Sequence, residues 1–169
     1  MWKTEERPAD NKNAAESAVR SPIKRLQSLG EFENYEKILM GEYLELGAIE
    51  LEPCPQEPGF YMPHHAVIRK EAITTKRRIV FNASAKGNVE CGKSLNDLID
   101  PGPSLLPDMI GLFLRFREFK VALQADIRKA FCMISVKPED RAYLRFLWPG
   151  RKGGELQTCR LASIALHSY

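Results

Sequence analysis

The sequence predicts an α+β fold, with helices in the front half and short strands clustered behind them. Two observations carry this. Apolar residues recur at three- and four-residue intervals over Phe32, Tyr35, Leu39, Tyr43 and Leu46, the period of an amphipathic helix. Later, short apolar runs such as Tyr61 to Ile68, Arg78 to Ala83 and Tyr143 to Trp148 are set off by turn-forming residues. The chain has 169 residues, 44% hydrophobic and 28% charged, which suits one domain with its own core.

Met1 to about Ala15 is polar and without period, and reads as a disordered lead-in. Ser21-Pro22 is expected to open a helical stretch, serine as cap and proline in the first turn. The Phe32–Leu46 helix should turn its glutamates outward and end at Gly47. Leu51 to Pro58 holds three prolines and reads as a loop. Tyr61–Ile68 and Arg78–Ala83 look like the arms of a hairpin whose tip is Lys70 to Lys76. Gly87 to Pro103 is turn-rich. Ser104 to Phe119 reads as a helix with an apolar face (Leu105, Leu106, Met109, Ile110, Leu112, Phe113, Phe116) broad enough to be largely buried. Three strands should follow, Val121–Asp126, Cys132–Val136 and Tyr143–Trp148, and Glu155–Arg160 begins a further one.

No apolar run approaches the ~18–20 residues of a membrane span, and the opening residues carry no apolar core of a secretory signal. An intracellular location, cytoplasmic or nuclear, is expected. Cys54, Cys91, Cys132 and Cys159 show no C-x-x-C spacing. Cys54 with His64 and His65 lacks a second ligand pair at zinc spacing, so the thiols read as reduced core or surface residues. Net charge is +3, but unevenly spread. Eight glutamates face one lysine from Glu31 to Glu57; Arg69, Lys70, Lys76, Arg77, Arg78 and Lys86 then outnumber Glu71 and Glu90. Such a basic stripe suits contact with a polyanion, or equally an edge strand protected by its cations.

The segment with chemistry is Val121-Ala122-Leu123-Gln124-Ala125-Asp126-Ile127-Arg128-Lys129-Ala130-Phe131. An apolar run ends in a lone carboxylate, and an aromatic follows five residues later. Carboxylates on rigid strands hold the two magnesium ions that clamp the attacking hydroxyl and leaving phosphate in polynucleotide synthesis. Alone, D-I-x-x-A-F is a weak signal, because an aspartate at a strand end is often structural. Its neighbours sharpen it. Upstream stand Tyr61-Met62-Pro63-His64-His65-Ala66-Val67, Lys76-Arg77-Arg78-Ile79-Val80-Phe81-Asn82-Ala83-Ser84, Ser94-Leu95-Asn96-Asp97 and Leu114-Arg115-Phe116-Arg117. Downstream stand Ile134-Ser135-Val136-Lys137-Pro138-Glu139-Asp140-Arg141 and Tyr143-Leu144-Arg145-Phe146-Leu147-Trp148.

In this order and at these distances the set closely resembles the reverse transcriptase of BEL/Pao-class long-terminal-repeat retrotransposons, from about Ser21 to Arg160. The resemblance implies the fingers and partial palm of a right-hand polymerase over residues 16–160, with 161–169 a divergent tail. Asp126 matches the first metal-binding aspartate and the catalytic carboxylate, and the Ile127 carbonyl would reach the second ion. Phe131 matches the aromatic under the nucleotide sugar that disfavours a 2′-hydroxyl. Arg78 matches the fingers arginine at the nucleotide phosphates, with Lys70 a looser match for the outer phosphate. The implied cofactor is Mg²⁺, two ions in a complete enzyme. The implied partners are an RNA or DNA template-primer, a dNTP and further polyprotein segments.

Two departures matter. Asn82 stands where relatives carry an aspartate, keeping an acceptor but losing a charge. No Tyr-x-Asp-Asp turn occurs, so the chain stops short of the second carboxylate motif and is expected not to polymerise DNA alone. The alternative is a non-catalytic nucleic-acid-binding remnant or interaction module. A palm cut short in this way is also expected to leave open edges and apolar faces.

Overall fold

A computed structural model describes residues 2–69, 71, 77–86, 92–104, 106–150 and 154–164. It is a mixed α+β arrangement with two small antiparallel sheets. Helix α1, Lys12–Ser28, buries Ala15, Val19, Ile23 and Leu26 on one stripe. Gly30, at φ +66°, lets the chain turn sharply after it. The next helical run is composite: α2, Phe32–Glu36, a π-helical turn, Lys37–Glu42, and α3, Tyr43–Glu45. Gly47, φ +65°, ends it as expected.

Strand β1, Ile49–Leu51, pairs with β5, Gln157–Leu161, which also pairs with β4, Arg145–Trp148, so β5 is the central strand. The register sets Ile49 against Leu161 and Phe146 against Cys159. The second sheet is the expected hairpin, β2, His64–Ile68, against β3, Arg77–Phe81, with His64 opposite Phe81 and Val67 opposite Arg78. Residues 60–62 run beside β4 through Arg145 N–H to Phe60 O, 3.1 Å, and Met62 N–H to Arg145 O, 2.7 Å. The aromatic core fills the space between. Phe81 meets Phe146 edge-on at 5.1 Å, and Phe32 stacks on Trp148 at 5.6 Å. Helix α4, Leu95–Leu98, is closed by a capping box between Ser94 and Asp97.

Several sequence expectations are corrected. Residues 2–11 are fastened rather than loose. Trp2 Nε1–H donates to Asp140 Oδ1 (2.6 Å), and the buried Asn11 side chain exchanges two hydrogen bonds with the Tyr61 backbone. A tryptophan and an asparagine anchor a stretch whose average polarity hid them. Helix α1 does not begin at Ser21; Pro22 lies inside it. Proline removes one helical hydrogen bond there, but the buried stripe on both sides of it holds the helix together.

The π-helical turn shifts the phase of the composite helix, so Tyr35 and Leu39 are buried while Leu46 is exposed. The expected long helix from Ser104 shrinks to α5, Met109–Phe116, capped by Asp108, and none of its residues is buried. Pro103 and Pro107 keep the preceding residues out of the helix. Leu105 lies outside the described residues. Val121–Asp126 is not a strand: residues 121–127 are irregular and exposed. A strand is stable only beside partners, and none of the described strands lies against this one. Cys132–Val136 likewise gives a short 3₁₀ turn, Ala130–Met133, and a single bridge from Ser135 to Ser163. A second 3₁₀ segment, Pro138–Leu144, leads into β4.

Candidate nucleotide and metal site

The β2–β3 hairpin places the candidate phosphate-binding side chains. Alternation along β3 turns Arg77, Ile79 and Phe81 to the core face and Arg78 and Val80 to the other. Arg77 is therefore occupied. Its guanidinium grips Glu31 through Nε–H, 2.5 Å, and Nη2–H, 3.0 Å, tying the hairpin to the end of the α1–α2 turn. That pair pushes the Arg77 guanidinium pKa up. Arg78 is exposed and has no ion pair among the described residues. Lys70 lies outside the described residues, as does most of the hairpin tip.

Asn82 follows β3, and its Oδ1 accepts from the Ser84 N–H, 3.0 Å. The position thus uses its acceptor in a local turn, which an asparagine supplies as well as an aspartate. Asp97, in the matched Ser94–Asp97 segment, is held below the usual carboxylate range by the Ser94 backbone N–H and hydroxyl.

The other matched residues lie outside the hairpin, later in the chain. Asp126 and Ile127 lie on the irregular 121–127 stretch, with the Ile127 side chain 71% exposed. Phe131 is in the short 3₁₀ turn and half exposed. No hydrogen bond or ion pair joins Arg78 to Asp126. Among the described residues no three Asp, Glu, His or Cys side chains converge as a metal-binding group. Mg²⁺ requires several oxygen ligands in near-octahedral order. One exposed carboxylate and one carbonyl do not meet that demand.

Sequence reasoning missed what the acidic stretch does. Its glutamates clamp cations from the later half of the chain. Glu42 binds Lys129 (2.5 Å), Glu50 binds Arg141 (2.6 Å) and Arg160 (2.9 Å), and Glu52 binds Arg145 (2.6 Å) and Arg160 (3.2 Å). Lys129 holds the Glu42 carboxyl below the ordinary carboxylate range, and Arg145 does the same to Glu52. The runs of like charge were visible; the long-range pairing leaves no mark in spacing. No protein-family model matches this chain, and neither does any curated protein.

Proposed function

We propose that this chain is the fingers and partial palm, over residues 16–160, of an RNA-directed DNA polymerase of the BEL/Pao retrotransposon kind. The ordered motif set supports it. The observation that carries it is the split between two adjacent arginines. Arg77 is consumed by an internal ion pair, while Arg78, the position matched to the phosphate-contacting arginine, is presented outward on a basic hairpin. A guanidinium fork so placed can pair with two oxygens of a triphosphate or of a nucleic-acid backbone. Phe131, on this reading, lies under the sugar of the incoming nucleotide, with Lys70 at the outer phosphate. Asp126 becomes a magnesium ligand only when further carboxylates join it.

The exposed apolar stretch fits the same reading. Of the large apolar side chains left open to solvent, most fall between Leu106 and Ile134, with Leu106 86% and Leu123 91% exposed. A palm without its neighbouring strands would leave this surface uncovered, and further polyprotein segments are its expected cover. The solitary Asp126 favours one second reading, a nucleic-acid-binding remnant that keeps the basic hairpin without the chemistry.

Purified chain incubated with labelled dTTP, Mg²⁺ and poly(rA)/oligo(dT) is the test of catalysis. No incorporation above the protein-free control is expected; sustained incorporation would show that this chain alone has a complete active site.

A further inference from the structure

From Val121 to Asp126 no backbone hydrogen bond to another described residue is formed, and the side chains are exposed. Order returns at Lys129. It is the one described residue other than glycine with positive φ, at φ 53° and ψ 40°. A side chain in that left-handed region carries a steric cost and persists where the surroundings impose it. Here two contacts do so. The Lys129 ammonium lies 2.5 Å from Glu42 Oε2, at the end of the π-helical turn, and 5.6 Å from the centre of the Tyr43 ring. Its own carbonyl accepts from the Cys132 N–H at 2.9 Å, starting the 3₁₀ turn.

A cleft of about 510 Å³, lined by Glu42, Glu45, Leu46, Arg128, Lys129 and Met133, lies beside this contact, and Cys132 and Arg128 also face the Tyr43 and Glu42 side chains closely enough to act on them electrostatically. Further along the segment, the Ile134 carbonyl accepts from the Ile164 N–H at 2.9 Å beyond the end of β5. Among the described residues, Lys129 makes the first ion pair after Asp126.

We propose that Lys129 is a pin: its side chain, seated between the Glu42 carboxylate and the Tyr43 ring, holds the Asp126-bearing segment onto the π-helical turn. The pin is a property of this chain whether or not it belongs to a polymerase. The charge holds the segment, and the strained backbone is tolerated because the charge does.

Hydrogen exchange of the full chain, read by mass spectrometry over residues 129–134 against the β5 amides as internal reference, tests this. Glu42→Gln and Lys129→Gly should each speed exchange in 129–134 by roughly fivefold relative to β5, the scale of one partly exposed ion pair. Lys129→Arg should keep the wild-type ratio. Lys129→Gly is the discriminating variant, since glycine relieves the left-handed strain while deleting the side chain. If it exchanges as slowly as wild type or more slowly, the turn geometry and not the charge holds the segment. An unchanged ratio in Glu42→Gln, or Lys129→Arg as fast as Lys129→Gly, overturns the proposal equally.

Discussion

Arg145, fully buried, is clasped by Glu52 through two parallel hydrogen bonds, Nε–H to Oε2 at 2.6 Å and Nη2–H to Oε1 at 2.9 Å. The third nitrogen donates to the Glu57 carbonyl at 2.8 Å, so the loop after β1 closes over β4. Removing one member of such a pair strands the other charge away from water, which costs about 3–5 kcal/mol. Glu52→Ala should therefore lower unfolding free energy in urea by that order. Glu52→Leu combined with Arg145→Met should lose less, because no charge is left unpaired. A double variant no better than the single one would mean that packing, not charge, dominates the site.

Gly59 stands against the same guanidinium. A Cβ there would meet Arg145 Nη1 at 2.1 Å and the Ala142 carbonyl at 2.3 Å, and the second contact is backbone that cannot swing away. Gly59→Ala is expected to cost about 2–3 kcal/mol, the upper part of the range for overpacking. A thermal melt within experimental scatter of wild type would show that the loop has room to retreat.

His64 sets a pH dependence. The Tyr35 hydroxyl and His64 Nδ1 are hydrogen-bonded, and His64 Nε2 meets the Leu147 carbonyl at 2.9 Å. A carbonyl only accepts, so Nε2 carries the proton and Nδ1 accepts from tyrosine. Burial pushes the His64 pKa down from 6.5 to about 4 and pushes the Tyr35 hydroxyl up. Between those two values the unfolded chain binds a proton that the folded chain does not, so folding weakens as pH falls through that window. From pH 7 to pH 5 the loss is about 2 kcal/mol by the 1.36 kcal/mol per pKa unit conversion. Urea unfolding at the two pH values measures it; equal stabilities would mean that the folded state accommodates the imidazolium.

The apolar stretch from Leu106 to Ile134 contributes little to this fold. Phe113→Ser and Leu114→Ser, at side chains 57% and 69% exposed, should change stability by less than about 0.5 kcal/mol. They should also weaken the binding of an apolar dye such as ANS. A clear fall in melting temperature would instead mean that α5 is packed in solution.

The hairpin, β4, β5 and the Phe32–Gly47 helix are legible in sequence because each carries its own local apolar pattern, whereas the pairing of Ile49 with Leu161 between β1 and β5 leaves no local mark. The hairpin arms pair across a short polar tip, and the helix ends where Gly47 takes positive φ. Val121–Asp126 and α5 are not legible in the same way. Their apolar residues ask for burial, and burial takes a facing surface that the described chain does not give them. Sequence pattern placed Arg78 on a strand of the hairpin, but Asp126 on a strand where the chain is irregular. Nor did it show that Arg77 is already taken by Glu31, or that Glu42 holds Lys129.

The most direct test of the polymerase reading is fluorescence anisotropy with a labelled RNA–DNA template-primer at 50 and 200 mM salt, using wild type, Arg78→Ala and Asp126→Ala. The reading predicts affinity that falls roughly tenfold or more across that salt range, the scale of a few phosphate contacts. Arg78→Ala should bind more weakly and with a shallower salt slope, while Asp126→Ala should bind no worse. Salt-insensitive or undetectable binding, or an Arg78→Ala variant that binds as well as wild type, would contradict it.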